Sequence, residues 1–302
     1  MITDRLIEGI IKTQNPTCVG LDTLFDYLPD EMKEGVNTFE GVAEKVLAFN
    51  KKIIDYIYDI VPSVKVQIAY YEIYGVAGMQ AYYETLRYAA EKGLVVIADA
   101  KRNDIGSTAA CYAKAFLGES QVNEENLRAF PSDFVTVNGY LGSDGILPFV
   151  EECEKHDKGI FVLVKTSNPS GAEIQNVILE NGVPMYEYMG GLVEKWGQST
   201  IGKYGYSAVG AVVGATHPME AARLRELLPH TFFLIPGYGA QGGKAEMLKS
   251  CFGKDGLGGV VNNSRGILCA YKKNGGTYTE AARNACIAMQ KDLSSVIGKM
   301  GK

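Results

Sequence analysis

The sequence predicts a closed (β/α)8 barrel, a TIM barrel, that spans residues 1–302 as a single domain. Eight short runs rich in Val, Ile and Phe recur along the chain, and longer stretches with the apolar spacing of helices separate them. Strands that are apolar on both faces and alternate with helices are typical of a parallel sheet covered by helices. Eight such units fit a barrel, a fold that commonly takes about 250 residues plus insertions.

The predicted elements follow one another in a regular order. The predicted strands are residues 18–22, 64–70, 94–101, 134–138, 159–166, 208–216, 231–237 and 258–264. The predicted helices that separate or follow them include 39–61, 78–92, 218–228 and 278–298. The two longest irregular stretches, 23–38 and 167–184, each follow a strand, where the active-site loops of a barrel lie. A doubly wound open sheet is the alternative, but its glycine fingerprint is missing after the first strand.

Composition excludes several classes of protein. The formal net charge is -5 and no run is rich in Lys or Arg, so we expect neither nucleic acid nor an anionic membrane as a partner. We expect no targeting segment and no membrane span, because the first residues lack a signal-peptide core and no apolar run is long enough. The six cysteines are scattered without zinc-ligand spacing, which predicts core thiols, a cytoplasmic location and no metal site.

Charged residues stand near the ends of three consecutive predicted strands. Because side chains alternate between the faces of a strand, Asp99 and Lys101 share one face of the third run. Lys65 lies in the second run, and Asp22 ends the first. Burying an ion costs several kcal/mol, so buried charges must be paired or functional. One pair alone is compatible with a structural ion pair, but four charges from three strands favour an active site.

Polar residues in two loops give weaker signals. Asp104 and Thr108 lie beyond the third run, at or within the next helix. A helix N-cap or a first-turn acid is the structural alternative for Asp104. After the fifth run, Ser167 and Asn168 in TSNPSG are placed to hydrogen-bond a polar ligand edge, although this segment is equally compatible with a simple turn.

The last two predicted strands end in segments that suit a phosphate group. PGYGAQGG, residues 236–243, follows the seventh run, and NNSRG, residues 262–266, closes the eighth. In barrels these two loops often form a phosphate site from backbone N–H groups. Glycines allow close backbone approach, and Arg265 offers a planar donor fork. A glycine-rich loop by itself is usually a turn, but its position beside Arg265 predicts phosphate binding.

The third run carries a family resemblance. DAKRNDIGSTA, residues 99–109, resembles the D-x-K-x-x-D-I-x-x-T signature of the orotidine 5′-phosphate decarboxylase family. GLD, VKVQIAYYE, KTSNPSG, PGYGAQGG and NNSRGI extend the resemblance over essentially the whole chain and favour the longer bacterial subfamily. The resemblance implies a carboxy-lyase of pyrimidine biosynthesis that converts orotidine 5′-phosphate into uridine 5′-phosphate and CO2. It also implies a homodimer with shared active sites and no metal or other cofactor.

The resemblance implies a role for each matching residue. Lys101 donates the proton to the carbanion left at carbon 6, and Asp99, Lys65 and the neighbouring subunit's copy of Asp104 complete the charged catalytic network. The implied substrate-binding residues are Asp22 and Lys65 at the ribose, Ser167 with Asn168 at the pyrimidine edge, Ile105 and Thr108 across the dimer interface, Gln241 and Arg265 at the phosphate, and Pro236 and Gly239 in the same loop as Gln241.

Two other functions remain open from the sequence. One is a metal-dependent phosphosugar aldolase of the same superfamily, which TSNPSG and PGYGAQGG fit less well. The other is a nucleotide-binding protein without catalytic activity, since fold does not determine function. The intact set of Asp99, Lys101 and Asp104 argues against the second alternative. Burying charged groups costs free energy, and a protein without catalytic activity has no need of such groups.

Overall fold

The computed structural model describes residues 1–239 and 242–301. Its centre is a closed barrel of parallel strands, in which each strand pairs with the next and the last pairs with the first. The barrel strands are β1 Thr17–Gly20, β2 Ser63–Gln67, β3 Val95–Arg102, β4 Phe134–Val137, β5 Gly159–Lys165, β6 Val209–Val213, β7 Phe233–Ile235 and β8 Gly259–Asn263. The predicted (β/α)8 barrel and all eight predicted strands are confirmed, whereas the single-domain organisation stays a prediction.

Helices connect the strands and surround the barrel. They are α1 Ile2–Thr13, α2 Asp30–Lys33, α3 Phe39–Ile57, α4 Ala69–Glu72, α5 Gly75–Glu91, α6 Gly106–Phe116, α7 Ser143–His156, α8 Ala172–Gln175, α9 Met185–Trp196, α10 Pro218–Leu227, α11 Ala245–Leu248, α12 Arg265–Leu268, α13 Ala270–Asn274 and α14 Tyr278–Ile297. The four predicted helices correspond to α3, α5, α10 and α14. Short 3-10 turns cover Phe25–Tyr27, Gly139–Leu141, Pro169–Gly171, Gln198–Thr200 and Lys249–Cys251.

Two elements lie outside the alternation of strands and helices that the sequence predicted. The first is α1, whose apolar residues Leu6, Ile7 and Ile10 pack against side chains that the strands point into the barrel, such as Ile97 and Phe161. The second is a hairpin of the strands Ser120–Val122 and Glu125–Leu127, which follows α6. No helix among the described residues combines the length and apolar character that a bilayer crossing would need.

Local sequence explains where the two longest helices begin. The side chain of Thr38 accepts a hydrogen bond from the backbone N–H of Gly41 at 3.1 Å, at the start of α3. Thr277 accepts the N–H of Glu280 at 3.3 Å in the same way, at the start of α14. Threonine N-caps satisfy N–H groups that have no partner within the helix. The caps therefore fix the first residue of each helix.

A buried polar network holds the loop that follows β1. The hydroxyl of Tyr71 donates to the carbonyl oxygen of Leu21 at 3.0 Å. Asn50 Nδ2 donates to the Tyr71 hydroxyl oxygen at 2.8 Å, and Thr23 Oγ1 donates to Asn50 Oδ1 at 2.7 Å. The side chains of Tyr71, Asn50 and Thr23 are fully buried. The residues on both sides of Asp22 are thus held against α3 and α4.

We expect Tyr71→Phe to lower the free energy of unfolding by about 1–3 kcal/mol, because it leaves the Leu21 carbonyl and an Asn50 N–H group buried without their partner. Tyr88→Phe is the matched control, since the Tyr88 hydroxyl bonds Asp55 at 2.7 Å in a half-exposed position. The free energy of unfolding of Tyr88→Phe should stay within about 0.5 kcal/mol of the wild-type value. Urea denaturation measures both values. Equal effects of the two variants would contradict the role assigned to the buried network.

Candidate active site

The carboxyl ends of the strands surround a cavity of about 450 Å³. The predicted site residues that line it are Asp22, Lys65, Asp99, Lys101, Ser167, Asn168, Pro236 and Arg265. The barrel therefore brings together residues from six loops and strand ends that are far apart in the sequence. Parallel strands place their carboxyl ends at one edge, which explains this convergence.

Lys65 is the centre of the charged group. Its Nζ lies 3.0 Å from Asp22 Oδ1 and 2.8 Å from Asp99 Oδ2. Asp99 Oδ1 in turn lies 2.6 Å from Lys101 Nζ. We call Asp22, Lys65, Asp99 and Lys101 the ion array. Lys65 and Asp99 are buried, whereas the Lys101 side chain is 46% exposed and its ammonium faces the cavity.

The ion array keeps its buried members charged. Burial alone would raise the pKa of Asp99, but the charges of Lys65 and Lys101 hold the pKa of this carboxyl well below its usual range. Burial alone would lower the pKa of Lys65, but Asp22 and Asp99 raise it well above its usual value. Each buried charge is therefore compensated by opposite charges in direct contact, as the low-dielectric interior requires.

A bulge at the end of β3 places Lys101. Residues 99–101 lie opposite the single residue Thr136 of β4, and Lys101 adopts a left-handed φ of 48°. Thr136 Oγ1 accepts the N–H of Lys101 at 3.0 Å and donates to Asp99 Oδ1 at 2.8 Å. Strand alternation predicted that Asp99 and Lys101 lie side by side, and both side chains line the cavity with their charged groups in contact. The bulge, which alternation did not predict, adds the left-handed backbone of Lys101 and its hydrogen bond to Thr136.

The loop after β5 presents the predicted polar residues to the cavity. Ser167 and Asn168 both line it. Asn168 Oδ1 accepts a hydrogen bond from Thr166 Oγ1 at 2.6 Å, and the Ser167 carbonyl oxygen accepts one from Thr216 Oγ1 at 3.2 Å. A Cβ on Gly214 would lie 2.7 Å from the Ser167 nitrogen. The absence of a side chain at Gly214 therefore lets the end of β6 approach Ser167.

Two of the four residues predicted in the loops after β7 and β8 line the cavity. Pro236 and Arg265 line the cavity. Gly239 has a φ of 71° and donates its N–H to the Gly243 carbonyl oxygen at 2.9 Å, and it is not among the residues that line the cavity. Gln241 lies outside the described residues.

Three further predicted site residues do not reach the cavity of this chain. Asp104, Ile105 and Thr108 lie on the outer side of the β3 end, where Ile105 and Thr108 are exposed and Asp104 is half-buried. The helix α6 begins at Gly106 with Ile105 as its N-cap, and Asp104 Oδ1 accepts the N–H of Ile105 at 2.8 Å. Asp104 is therefore neither the N-cap nor a first-turn acid, and that structural alternative was wrong.

Known proteins are similar to this chain in sequence and in fold. A sequence profile of the Orotidine 5'-phosphate decarboxylase / HUMPS family matches residues 17–274. The chain belongs to this family. Orotidine 5'-phosphate decarboxylase from Clostridium botulinum strain Loch Maree is 45% identical over 300 residues, which cover 98% of this chain and 100% of the relative. The enzyme of that name from Clostridium perfringens strain SM101 is 44% identical over 302 residues, which cover 99% and 100%.

A solved structure agrees with these sequence matches. Leishmania donovani OMP decarboxylase superimposes with a TM-score of 0.76 at 27% identity, over 98% of each chain. The family description joins two names, and both full-length relatives carry the first of them. The family that the motifs in the third strand predicted is thereby confirmed.

Sequence reasoning missed several polar residues of this family member's cavity. Thr136, Gln67, Asn262 and Ser264 line it as well. Gln67 Nε2 donates to Asp99 Oδ2 at 3.0 Å. A signal for Thr136 was available, because it is the only polar residue between Phe134 and Val137, inside a fully buried strand. A polar side chain in such a strand needs a partner.

Lys165, to which the sequence assigned no role, lies outside the cavity. Its side chain is fully buried on the outer face of β5, and its Nζ donates to Asn176 Oδ1 at 2.5 Å. The ammonium also lies 5.2 Å from the centre of the Tyr186 ring. Burial lowers the pKa of Lys165. Among residues 1–239 and 242–301, no group of three or more His, Cys, Asp or Glu side chains is placed to hold a metal ion.

We expect Asp99→Asn to lower the free energy of unfolding at pH 7 by about 3–5 kcal/mol, because it removes one partner of a buried ion pair. The folded state holds the pKa of Asp99 below its unfolded value. This stabilisation is therefore present above about pH 4 and lost as the pH falls further. The difference between wild type and variant should be constant from pH 5 to 8 and narrow below about pH 4.

Urea midpoints measured across this pH range check the prediction. Asp30→Asn is the control, because Asp30 pairs with Lys33 at 2.7 Å on the open surface. The control should leave the midpoint at pH 7 unchanged. A difference for Asp99→Asn that stays constant down to pH 3 would contradict the charge state assigned to Asp99.

Proposed function

We propose that this chain is a carboxy-lyase that converts orotidine 5′-phosphate into uridine 5′-phosphate and CO2 in pyrimidine biosynthesis. The observation that carries the proposal is the ion array, which directs the Lys101 ammonium into a cavity with Arg265 at its rim. The full-length Clostridium relatives, named for this reaction, support it.

The polar groups around the cavity suit the parts of the substrate. Arg265 and the loop after β7 bind the phosphate, because a guanidinium matches phosphate oxygens with two parallel hydrogen bonds. Asp22 and Lys65 bind the ribose hydroxyls. Ser167 and Asn168 bind the polar edge of the pyrimidine, which lies with its carbon 6 at Lys101.

The reaction needs stabilisation of a carbanion. The bond between carbon 6 and the carboxylate breaks, its electron pair stays on carbon 6, and CO2 leaves. The Lys101 ammonium stabilises the developing negative charge and then donates a proton to carbon 6. A proton from solvent restores the ammonium. Asp99 holds the Lys101 ammonium in place at 2.6 Å. No step in this sequence draws on a metal or an organic cofactor.

We also propose a homodimer in which each site receives Asp104, Ile105 and Thr108 from the second subunit. Ile105 is 53% exposed and Leu147 is 45% exposed, and together they line a shallow depression outside the cavity. Exposed apolar side chains that lie together are typical of a protein interface. All six cysteines are unpaired, which is compatible with a cytoplasmic location.

We expect purified, chelator-treated protein to convert orotidine 5′-phosphate, followed by the change in its ultraviolet absorbance. Lys101→Ala should slow turnover by at least about 1,000-fold, because it removes both the charge stabilisation and the proton donor. It should still bind uridine 5′-phosphate. Lys203→Ala is the control, since Lys203 pairs with Glu8 on the exposed surface, and it should keep full activity.

Three outcomes would contradict parts of this proposal. Turnover that disappears with the chelator and returns with Mg²⁺ would favour the metal-dependent aldolase. If the folded wild-type protein binds uridine 5′-phosphate but shows no turnover, the result would favour a nucleotide-binding protein without catalytic activity. Substantial residual activity of Lys101→Ala would remove Lys101 from its assigned role.

We expect a mixture of Lys101→Ala and Asp104→Ala chains to regain activity. Only a hybrid dimer contains one site with both wild-type residues, so an equal mixture should reach about a quarter of wild-type activity. Lys101→Ala mixed with Asp99→Asn is the control. Asp99 and Lys101 come from the same chain, so no hybrid contains an intact site and no activity should return. Recovery in neither mixture, with subunit exchange verified, would argue against shared sites.

A further inference from the structure

Ser264 connects the phosphate end of the cavity to the ion array. It lies directly after β8 and directly before Arg265, and it lines the cavity. Its Oγ donates to Asp22 Oδ2 at 2.6 Å, while Lys65 holds the other oxygen, Oδ1, at 3.0 Å. Each oxygen of the Asp22 carboxylate thus has its own partner, one from β2 and one from the end of β8.

The fold makes room for this contact at one position. An ideal Cβ on Gly20 would lie 1.8 Å from Ser264 Oγ and 2.9 Å from Ser264 Cβ. The Ser264 hydroxyl therefore occupies the volume that any side chain at Gly20 would fill. Gly20 ends β1, two residues before Asp22, so one short segment at the end of this strand supplies both the acceptor and the space for the donor.

The backbone on both sides of Asp22 is already held by the buried network of Tyr71, Asn50 and Thr23. What this network leaves free is rotation of the Asp22 carboxylate about its side-chain bonds. A short hydrogen bond from a hydroxyl to a carboxylate is among the stronger ones in proteins and has a preferred direction. Ser264 fixes the carboxylate in an orientation in which its remaining lone pairs can accept hydrogen bonds from the cavity.

We propose that Ser264 is a positioning residue for ribose recognition, which it performs by orienting Asp22. This inference rests on the proposed function, in which Asp22 accepts hydrogen bonds from the ribose hydroxyls. Because Ser264 is the neighbour of Arg265 along the chain, one short segment both contacts the phosphate and orients the acceptor for the sugar. Without the hydroxyl, Asp22 can turn both oxygens toward Lys65, and the ribose loses its oriented acceptor.

The test compares two ligands that differ only at the ribose. Uridine 5′-phosphate and its 2′,3′-dideoxy analogue carry the same phosphate and base. We expect wild type to bind the first more tightly. In Ser264→Ala, the affinity for uridine 5′-phosphate should fall by about tenfold, the scale of one hydrogen bond to a charged group. The affinity for the dideoxy analogue should change little. The KM for orotidine 5′-phosphate should rise with kcat nearly unchanged.

Gly20→Ala gives an independent route to the same loss, because its methyl group displaces the Ser264 hydroxyl without removing any polar group from the chain. The two single variants should have the same ligand preference, and the double variant should lose no more than either one. Ser250→Ala is the control. Ser250 Oγ donates to the Pro218 carbonyl oxygen at 3.3 Å and does not line the cavity. Circular dichroism confirms that each variant is folded.

The role of Ser264 and the proposed function would fail in different measurements. Equal loss of affinity for both ligands would show a general structural role for Ser264 and overturn the inference. So would unchanged affinities in Ser264→Ala. A wild-type protein that neither binds uridine 5′-phosphate nor converts orotidine 5′-phosphate would instead overturn the proposed function, before any variant is considered.

Discussion

Lys65 places an ammonium inside the barrel with carboxylates at 3.0 Å and 2.8 Å, and the rest of the site is arranged around this contact. A buried charge without partners would cost several kcal/mol, so the barrel must bring Asp22 and Asp99 to it from two neighbouring strands. The register of β1 and β3 against β2 does so. Once Asp99 is held charged by Lys65, it can also hold Lys101, which faces the cavity.

The geometry at Lys101 stores strain in a single residue. A left-handed φ at a residue other than glycine, asparagine or aspartate costs about 1–2 kcal/mol. Thr136 offsets part of that cost, because its hydroxyl takes the N–H that the bulge leaves without a strand partner. The same hydroxyl donates to Asp99. Thr136 therefore fixes both the backbone of Lys101 and the Asp99 carboxylate. Asp99 in turn holds the Lys101 ammonium in one position.

Much of the fold and part of the site could be predicted from the sequence. The alternation of apolar runs and amphipathic stretches predicted the barrel, because strands buried on both faces have few other arrangements. Charges inside such runs predicted Lys65, Asp99 and Lys101 as neighbours, because their burial requires pairing. Thr136 and Ser264 were missed. Hydroxyls are common in strands and loops, and their importance here comes only from partners distant in sequence.

The sequence by itself determined the periodicity of the elements, the position of each charge along its strand and the family motifs, since these depend only on local order. Only the tertiary structure decided which of those residues meet. Closing the barrel brings Ser264 to Asp22 across 242 positions of the chain. The bulge in β3 gives Lys101 a left-handed backbone whose N–H binds Thr136, and the cavity of a single chain leaves Asp104, Ile105 and Thr108 outside. Strand pairing, register and packing set these distances, and none of the three is encoded within any one segment.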